Sequence, residues 1–553
     1  MAAALLAFGL RHQENVAILG DNRPEWLYCH LGTMSVDGVT CGIYATSAPE
    51  QIKYLLNHSE TRILFLENEE QLEKALQVVA DTQVERIVVW DAKGLWGYSD
   101  ERVQFFDDFL KEGEKYLDAR PGSLEERLAA IQPEETAMII YTSGTTGPPK
   151  GAMLSHRSIL WTVGSSLQAI AWSPEDQVIS YLPFAHIFEN YTSLFNPTLL
   201  GYVVSFVESP DTLAQNLREV SPTYFAGPPR IWEKLASTVE LRMADSTPLK
   251  RAMYRLAVAV GRRYARAKQR GRVNPLLALA YRFAYVTVLH PLKRRLGFDR
   301  IRVAVSAAAP AAPELFEFFH ALGVPLLEVY GQTESTGVIS ANRVERARVG
   351  TVGEPIAGIE VALADDGEIL TRGPHVFKGY FKDPELTAQT IDQDGWLHTV
   401  DVGAWEDGYL KILDRKKDII KTAGGKGITP AYIENKLRFS PYIQDAVVIG
   451  DRKKYLVALI LIDEDNVTKF AQDNRIPFAT FADLTQNPEV RRLIQGEVDK
   501  VNKTVSQVES VKKFALLPRR FYEEEGDVTP TMKVKRSHIE QRYADLIGSL
   551  YRA

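Results

Sequence analysis

The sequence predicts an α/β protein with a large N-terminal domain of mixed and parallel β-sheets flanked by helices, followed by a small C-terminal α/β domain. Apolar strand-like runs alternate with helical patterns from Val16 to about Val207, which is typical of parallel sheets with helical crossovers. The 553 residues also exceed what one hydrophobic core supports, so we expect at least two domains.

Short local patterns predict the first elements. Residues 2–8 read as a helix that Gly9 ends, Val16–Leu19 as a strand, and Pro24 lies in the opening of the next helix. Apolar runs predict further strands at 61–66, 86–90, 203–207, 445–450 and 456–462. The last two are joined by the charged stretch 451–454 and indicate a separate small domain.

Composition excludes several classes of protein. Hydrophobic residues make up 45% of the chain and charged residues 25%, as in ordinary soluble proteins, and the net charge of -6 gives no reason to expect nucleic acid as a partner. Two cysteines, Cys29 and Cys41, favour a reducing compartment. No stretch has the apolar length of a membrane span, and the apolar start lacks a basic region, so we expect a cytoplasmic protein without a secretory signal.

The loop from Tyr141 to Gly151 is the most informative segment. It follows a short apolar strand pattern and places four hydroxyls among its glycines; Lys150 adds a charge. Backbone N–H groups and hydroxyls of such a loop can surround phosphate oxygens. Pro149 stands where the common P-loop needs its second glycine, so that motif is absent. The alternative is a flexible surface turn.

This loop resembles the phosphate-binding signature of the adenylate-forming superfamily, which comprises acyl-CoA synthetases, luciferases and adenylation domains of peptide synthetases. Matching blocks follow in the family's order from about Val16 to the C-terminus. The resemblance implies the adenylate-forming enzyme fold, with ATP and Mg²⁺ bound beside this loop. The loop residues implied in nucleotide binding are Thr142, Ser143, Gly144, Thr145, Thr146, Gly147 and Lys150.

The block that begins at Tyr330 reads Tyr-Gly-Gln-Thr-Glu-Ser and follows a strand pattern. By the resemblance, Tyr330 stacks on adenine, and Gly331 and Gln332 belong to the nucleotide site. Thr333 then contacts the α-phosphate region, and Glu334, with Thr146, binds Mg²⁺. The alternative is a strand-to-helix turn with Thr333 as the N-cap.

Asp401 matches the acid that binds the ribose hydroxyls in this family, and Arg415 matches its partner. The family usually has glycine before this aspartate, whereas this chain has Val400. A β-branched residue is strained there if the backbone needs a positive φ. An ordinary turn acid is the alternative for Asp401.

The resemblance divides the chain into residues 1–413 and 414–553, and the smaller domain rotates between two half-reactions about a hinge that matches Lys417. Lys533 matches the lysine that bridges the substrate carboxylate and the α-phosphate, and its alternative is a solvated lysine. The segment Gly424, Gly425 and Lys426 matches the loop beside the pantetheine of CoA, although a plain hairpin turn would read the same.

Four residues bear on the acid substrate. His186, in Leu-Pro-Phe-Ala-His-Ile-Phe-Glu, matches a histidine beside the acyl site, and a structural histidine is the alternative. Trp232 matches the aromatic residue that gates the fatty-acid tunnel of long-chain acyl-CoA synthetases, and a core tryptophan fits equally well. Ala307 and Ala308 stand where the family usually has two glycines, which leaves the chain-length preference open.

The segment 242–302, called the basic segment below, differs from its surroundings. It contains 16 lysines and arginines and only two acids, interleaved with apolar residues that predict two amphipathic helices around residues 271–275. One interpretation is peripheral docking on the anionic inner face of the cell membrane, where a fatty substrate resides. The other is a helical insertion whose basic face is solvated.

The resemblance implies an enzyme that uses ATP and Mg²⁺ to activate a fatty acid and transfers the acyl group to CoA. We expect a long-chain acid as the substrate. The alternatives are transfer to a carrier protein and a catalytically inactive acyl-binding homologue. The resemblance also suggests a homodimer and a start that is several dozen residues shorter than is usual in the family.

Overall fold

A computed structural model describes residues 1–142, 148–423, 427–522, 525–529 and 533–552. Within these ranges, no helix combines the length and the apolar character that crossing a membrane requires.

The strands are β1 (Asn15–Leu19), β2 (Val39–Ile43), β3 (Ile63–Leu66), β4 (Arg86–Val89), β5 (Val103–Phe105), β6 (Thr136–Thr142), β7 (Lys150–Ser155), β8 (Gln177–Ser180), β9 (Val203–Phe206), β10 (Tyr224–Gly227), β11 (Val303–Ser306), β12 (Leu326–Tyr330), β13 (Ser340–Ala341), β14 (Glu354–Pro355), β15 (Glu360–Leu363), β16 (Glu368–Arg372), β17 (Gly379–Tyr380), β18 (Leu397–Glu406), β19 (Tyr409–Arg415), β20 (Ile420–Lys421), β21 (Gly427–Ile428), β22 (Ile443–Ile449), β23 (Leu456–Ile462) and β24 (Val511–Leu516).

The helices are α1 (Ala2–Phe8), α2 (Pro24–Met34), α3 (Pro49–His58), α4 (Glu69–Leu76), α5 (Phe106–Ala119), α6 (Ser123–Ala130), α7 (His156–Ser166), α8 (Ile187–Asn190), α9 (Asn196–Leu200), α10 (Leu213–Val220), α11 (Pro229–Ala244), α12 (Pro248–Gln269), α13 (Pro275–Ala284), α14 (His290–Arg295), α15 (Pro313–Ala321), α16 (Pro384–Thr390), α17 (Pro430–Arg438), α18 (Glu464–Asp473), α19 (Phe481–Gln486), α20 (Pro488–Asn502), α21 (Arg536–Arg542) and α22 (Ala544–Arg552).

The sheets of the N-terminal part are mixed, as predicted. The largest has the order β17-β7-β6-β2-β1-β3-β4-β5 and is parallel from β6 to β5, whereas β6, β7 and β17 pair antiparallel. A second sheet has parallel strands β10, β11 and β12, followed by the short antiparallel β13 and β14. A third, antiparallel sheet has the order β15-β16-β18-β19.

The sequence patterns of the first elements are confirmed. Helix α1 ends at Gly9, whose φ of 88° is the left-handed conformation that glycine adopts without strain. The helix packs against α5 so closely that a Cβ at Gly113 would lie 2.5 Å from the backbone nitrogen of Ala4. The predicted strands near residues 16, 61, 86 and 203 are β1, β3, β4 and β9.

The C-terminal part has its own hydrophobic cores. Strands β22, β23 and β24 form a separate sheet, in which β22 and β23 are the two strands predicted around the charged turn. The buried apolar residues of these cores lie between Ile420 and Ile547, whereas those of the N-terminal cores lie between Ala4 and Leu410. The boundary near Asp414 and the hinge at Lys417 stay predictions.

The basic segment forms the predicted helical pair. Helix α12 ends at Gln269 and α13 begins at Pro275, and the rings of Tyr264 and Tyr281 stack across the pair with centroids 4.0 Å apart. Helix α12 buries Tyr254, Ala257 and Val258 in the same core as Trp232. The pair is therefore anchored on the second sheet's core and not detached from the domain.

Candidate active site

Strand ends from three sheets supply the site. The predicted phosphate loop connects β6 to β7, and Thr142 and Lys150 face each other across this antiparallel pair. Residues 143–147 lie outside the described residues, so Ser143, Gly144, Thr145, Thr146 and Gly147 stay predictions. Tyr330 ends β12, and the segment after it carries the next three predicted residues.

Asp401 is the centre of a hydrogen-bond network in the site. Its Oδ2 accepts hydrogen bonds from Tyr330 Oη at 2.7 Å and Gln332 Nε2 at 2.6 Å. Arg415 Nε lies 3.6 Å from Oδ1, because the β18–β19 register places Asp401 opposite Arg415. Asp401 is only 8% exposed. These contacts fix its carboxylate in one orientation, which is what recognition of two vicinal hydroxyls requires.

The turn after β12 is tight because of Gly331. A Cβ at this position would lie 2.2 Å from the carbonyl oxygen of Gly337, so a side chain there is excluded. Gln332 also donates from Nε2 to the carbonyl oxygen of Thr399 at 2.8 Å, which ties this turn to β18. Buried Thr333 is the first residue of a single 3-10 turn that Gln332 caps, so it is not the N-cap of a helix.

Glu334 is held by a residue that the sequence analysis did not single out. Tyr380 Oη donates to Glu334 Oε1 at 2.7 Å, and Lys150 Nζ lies 5.7 Å from the centroid of the Tyr380 ring. Tyr380 thus links the predicted metal ligand to the predicted phosphate-loop lysine. The two residues of the hydrogen bond are 46 positions apart, so no local spacing could have connected them.

His186 caps the short helix α8. Its Nδ1 accepts the backbone N–H of Phe188 at 3.1 Å, so the proton of the neutral ring is on Nε2. Loss of solvation, with a smaller contribution from Lys533, lowers the pKa of His186 to about 4. The imidazole is therefore neutral at pH 7 and can donate one hydrogen bond from Nε2.

Lys533 reaches this site from the C-terminal part. Its backbone is fixed by Thr529, whose N–H donates to the Lys533 carbonyl at 2.8 Å. Although the residue as a whole is exposed, the protein around its ammonium group removes solvation and lowers its pKa to about 8. Arg415 lowers this pKa further, whereas Asp401 and Glu334 oppose the change. Lys533 therefore lies within electrostatic range of residues of β18, β19 and the turn after β12.

At two positions where this chain departs from the family pattern, the backbone adopts a positive φ. Val400 has a φ of 60° and Ala308 a φ of 70°, both in the left-handed region that favours glycine. Val400 is held there because its N–H donates to Glu368 Oε1 at 2.9 Å. The strain expected for Val400 is therefore present beside Asp401, although the position of Asp401 is preserved.

Trp232 is fully buried, with its indole N–H donating to the Val305 carbonyl at 3.1 Å. Its ring packs against three phenylalanines, namely Phe225, Phe298 and Phe319. A gating role would require this cluster to open, and it stays a prediction. Gly424, Gly425 and Lys426 lie outside the described residues.

Lys417 follows β19 and lies near the same site. Loss of solvation lowers its pKa, and the charges of Arg415 and Lys150 act in the same direction. The proposed hinge residue is thus electrostatically coupled to the nucleotide site.

Known proteins are similar to this chain over its whole length. A mycobacterial relative, a long-chain-fatty-acid–CoA ligase of Mycobacterium bovis, is 34% identical over 100% of this chain and 90% of its own length. A long-chain-fatty-acid–CoA ligase of Rattus norvegicus is 32% identical over 100% of this chain and 86% of its own.

Among solved structures, an anthranilate CoA ligase in complex with anthranoyl-AMP has a TM-score of 0.73. It is 20% identical to this chain, and the match covers 99% of this chain and 90% of that one, which shows the shared fold. The AMP-binding enzyme family matches residues 1–381, and the AMP-binding enzyme C-terminal domain matches residues 417–553. The chain therefore belongs to the AMP-binding enzyme family.

Proposed function

We propose that this protein is a fatty acid–CoA ligase that acts on long-chain acids. It forms an acyl-adenylate and pyrophosphate from a fatty acid and ATP, and then transfers the acyl group to CoA with release of AMP. The observation that carries this proposal is a pair of oriented carboxylates in a chain of the AMP-binding enzyme family: Tyr330 and Gln332 hold Asp401, and Tyr380 holds Glu334. The names of the two ligases similar over the whole chain support a long-chain acid as substrate.

In the first half-reaction, a carboxylate oxygen attacks the α-phosphorus, and the bond to pyrophosphate breaks. The reactants are both anionic, so the site must lower their repulsion. Lys533 supplies a positive charge between them, and His186 orients the carboxylate through its Nε2–H. Asp401 holds the ribose, and Tyr330 forms one wall of the adenine site.

Mg²⁺ fits the acidic position of the site. Tyr380 engages Oε1 of Glu334 and orients the carboxylate, so that Oε2 is the oxygen offered to a cation. A carboxylate oxygen is the hard ligand that Mg²⁺ prefers. When bound, the ion neutralises charge on the phosphates. Thr146, the second ligand implied by the resemblance, lies in the undescribed part of the loop.

In the second half-reaction, the CoA thiol attacks the acyl carbonyl carbon, and the bond to the phosphate of AMP breaks. This step needs no covalent enzyme intermediate. We assign the pantetheine path to Gly424, Gly425 and Lys426 on the resemblance alone. Rotation about Lys417 would withdraw Lys533 and bring this loop to the site.

The test is ATP- and Mg²⁺-dependent product formation with saturated acids from short to very long, with and without CoA. AMP, pyrophosphate and acyl-CoA are measured by mass spectrometry. Thioester that depends on CoA, with an optimum among long acids, is the expected result. Adenylate without thioester would favour a carrier-protein acceptor, and no pyrophosphate with any acid would favour an inactive acyl-binding homologue.

A second proposal concerns the basic segment, which we infer docks on an anionic membrane surface. Its two helices expose the large apolar side chains of Leu249, Met253, Leu256, Leu276, Leu279 and Phe283, and Val273 and Val286 are exposed just outside α13. Leu276, Leu279 and Phe283 recur at helical spacing and form one stripe along α13. Basic side chains flank it, and such a combination of apolar and cationic faces is typical of helices that lie in a lipid interface.

Flotation with vesicles tests this docking. Wild-type protein should float with anionic vesicles at low salt and much less with zwitterionic ones. Leu276→Asp and Phe283→Asp should abolish flotation, whereas Leu160→Asp, at an apolar position 65% exposed outside the segment, should not. Wild-type protein that stays in the soluble fraction with anionic vesicles would contradict the proposal.

A further inference from the structure

Charges, more than apolar packing, join the N-terminal and C-terminal parts. Among the described core residues, Phe439 is the C-terminal residue that packs against an N-terminal core. Arg415 and Lys416, at the boundary itself, pair with acids of the N-terminal part. Beyond them, three ion pairs among the described residues cross the boundary: Arg230 with Asp445, Glu314 with Lys436, and Asp245 with Lys469. An interface without a shared apolar core leaves relative domain motion as the default expectation, so these pairs decide the docked orientation.

The Arg230–Asp445 pair is the most buried of the three. The Asp445 side chain is 1% exposed and contacts Arg230 of α11 directly. Arg438, from its own part of the chain, lies 3.3 Å away on the other side. Because the Asp445 carboxylate is buried, separating it from Arg230 would remove part of the charge compensation that it needs.

The Glu314–Lys436 pair acts at a second point. Lys436 Nζ lies 2.6 Å from Glu314 Oε1, and the Lys436 side chain is 8% exposed. Glu314 is in the first turn of α15, where the helix dipole favours its negative charge. Helices α11 and α15 follow β10 and β11, which belong to the same sheet as β12, the strand that ends at Tyr330. The contacts with both helices therefore fix the position of the C-terminal part relative to the proposed nucleotide site.

Lys533 depends on this docking for its position. Its segment is tied to Thr529 and, through a bridge between Val528 and Val534, to its own part of the chain. Its approach to Asp401 and Glu334 is therefore set by how the whole C-terminal part is seated. We propose that Arg230, Asp445, Glu314 and Lys436 are positioning residues that seat Lys533 for adenylation. This inference rests on the proposed ligase function and adds residues to its first half-reaction.

A charge swap tests the proposal. The variants are Glu314→Lys, Lys436→Glu and the double variant that exchanges both charges. Adenylation is measured as pyrophosphate release, and thioester formation is measured separately from supplied acyl-adenylate and CoA. Each single variant should lower adenylation at least about tenfold and leave thioester formation within about twofold, and the double variant should recover most of the loss.

Three further variants test the second pair and provide a control. Arg230→Gln weakens the other pair from the N-terminal side and should also lower adenylation selectively, while Arg230→Lys should lower it less. Arg492→Glu reverses a charge in the exposed Glu489–Arg492 pair of α20, which is 2.8 Å long and lies within the C-terminal part. It should leave both half-reactions unchanged.

The position of the C-terminal part relative to the N-terminal part can also be measured without an activity assay. Native Cys29 and Cys41 are buried, so fluorophores can be placed on exposed positions by Asp118→Cys and Lys503→Cys. The single charge reversals should broaden the energy-transfer distribution, and the double variant should restore it.

Unchanged adenylation and an unchanged distribution in the single variants would overturn the inference. Equal loss of both half-reactions without rescue would do so too, because a merely structural role has that signature. Absence of pyrophosphate from wild-type protein would contradict the proposed function instead, and the fluorescence result would still decide how the domains are seated.

Discussion

The two sides of the candidate site are held in different ways. Asp401, Tyr330 and Gln332 are joined by hydrogen bonds of 2.6–2.7 Å within one domain. Lys533 comes from a short irregular segment of the other part, whose seating depends on ion pairs across a polar interface. In the proposed function, nucleotide recognition is therefore built into one domain, whereas the cation for adenylation is delivered by docking of the other.

The largest expected effect separates the two sides directly. Lys533→Ala should lower adenylation by roughly a thousandfold, because the charge between carboxylate and α-phosphate is lost. Thioester formation from supplied acyl-adenylate should remain. Measurement of both half-reactions, with Lys535→Ala as the control, checks this; equal loss in the two would refute the separation.

Asp401→Asn should instead affect both half-reactions, since the nucleotide is bound in each. We expect a loss of about 100-fold in kcat/KM for ATP, from weaker hydrogen bonds to the ribose. The matched control is Asp407→Asn at the exposed end of the same strand pair, where Arg348 lies 2.9 Å away. Selective loss of adenylation in Asp401→Asn would contradict the comparison.

The lowered pKa of Lys533 predicts the pH dependence of the docking side. The ammonium group is protonated below pH 8 and loses its proton above it, since its pKa is about 8. The kcat/KM for adenylation should therefore fall about tenfold per pH unit above pH 8. The adenylation activity that Lys533→Arg retains should persist to higher pH than that of the wild-type protein. A wild-type profile that is flat to pH 10 would exclude this titration.

Tyr380→Phe tests a smaller effect on the N-terminal side of the candidate site. Loss of the hydrogen bond to Glu334 should raise the Mg²⁺ concentration for half-maximal adenylation about tenfold, as expected for a residue that orients a metal ligand. Titration of Mg²⁺ at saturating ATP measures it. Tyr409→Phe, whose hydroxyl contacts the Arg346 carbonyl at 3.2 Å, is the control. Equal Mg²⁺ dependence in both variants would remove Tyr380 from this role.

The smallest effect concerns backbone strain beside Asp401. Val400→Gly should stabilise the N-terminal part by about 1 kcal/mol, because glycine adopts the φ of 60° without strain. Thermal unfolding measures the change. Val203→Gly, at a strand position 52% exposed, should destabilise the protein. This change relieves no backbone strain, and glycine increases the conformational entropy of the unfolded chain. A lower unfolding temperature for Val400→Gly would show that the surrounding contacts, and not strain, dominate there.

Much of the fold could be predicted because its signals are local. The strands near residues 16, 61, 86 and 203, the glycine stop after α1 and the two helices of the basic segment are all present. Apolar periodicity and helix-ending glycine act over a few residues, so a single sequence contains them. Backbone strain at Val400 was expected for the same reason, from one residue type at one position.

The sequence by itself determined the family blocks, the nucleotide-site candidates and the amphipathic character of the basic segment. Only the tertiary structure decided that Tyr380 orients Glu334, that Trp232 lies in an aromatic core, and that Arg230 meets Asp445. The Tyr380–Glu334 and Trp232–Val305 hydrogen bonds and the Arg230–Asp445 pair join residues 46, 73 and 215 positions apart. No periodicity or spacing encodes such pairs, because they arise from how separate sheets and helices pack together in space.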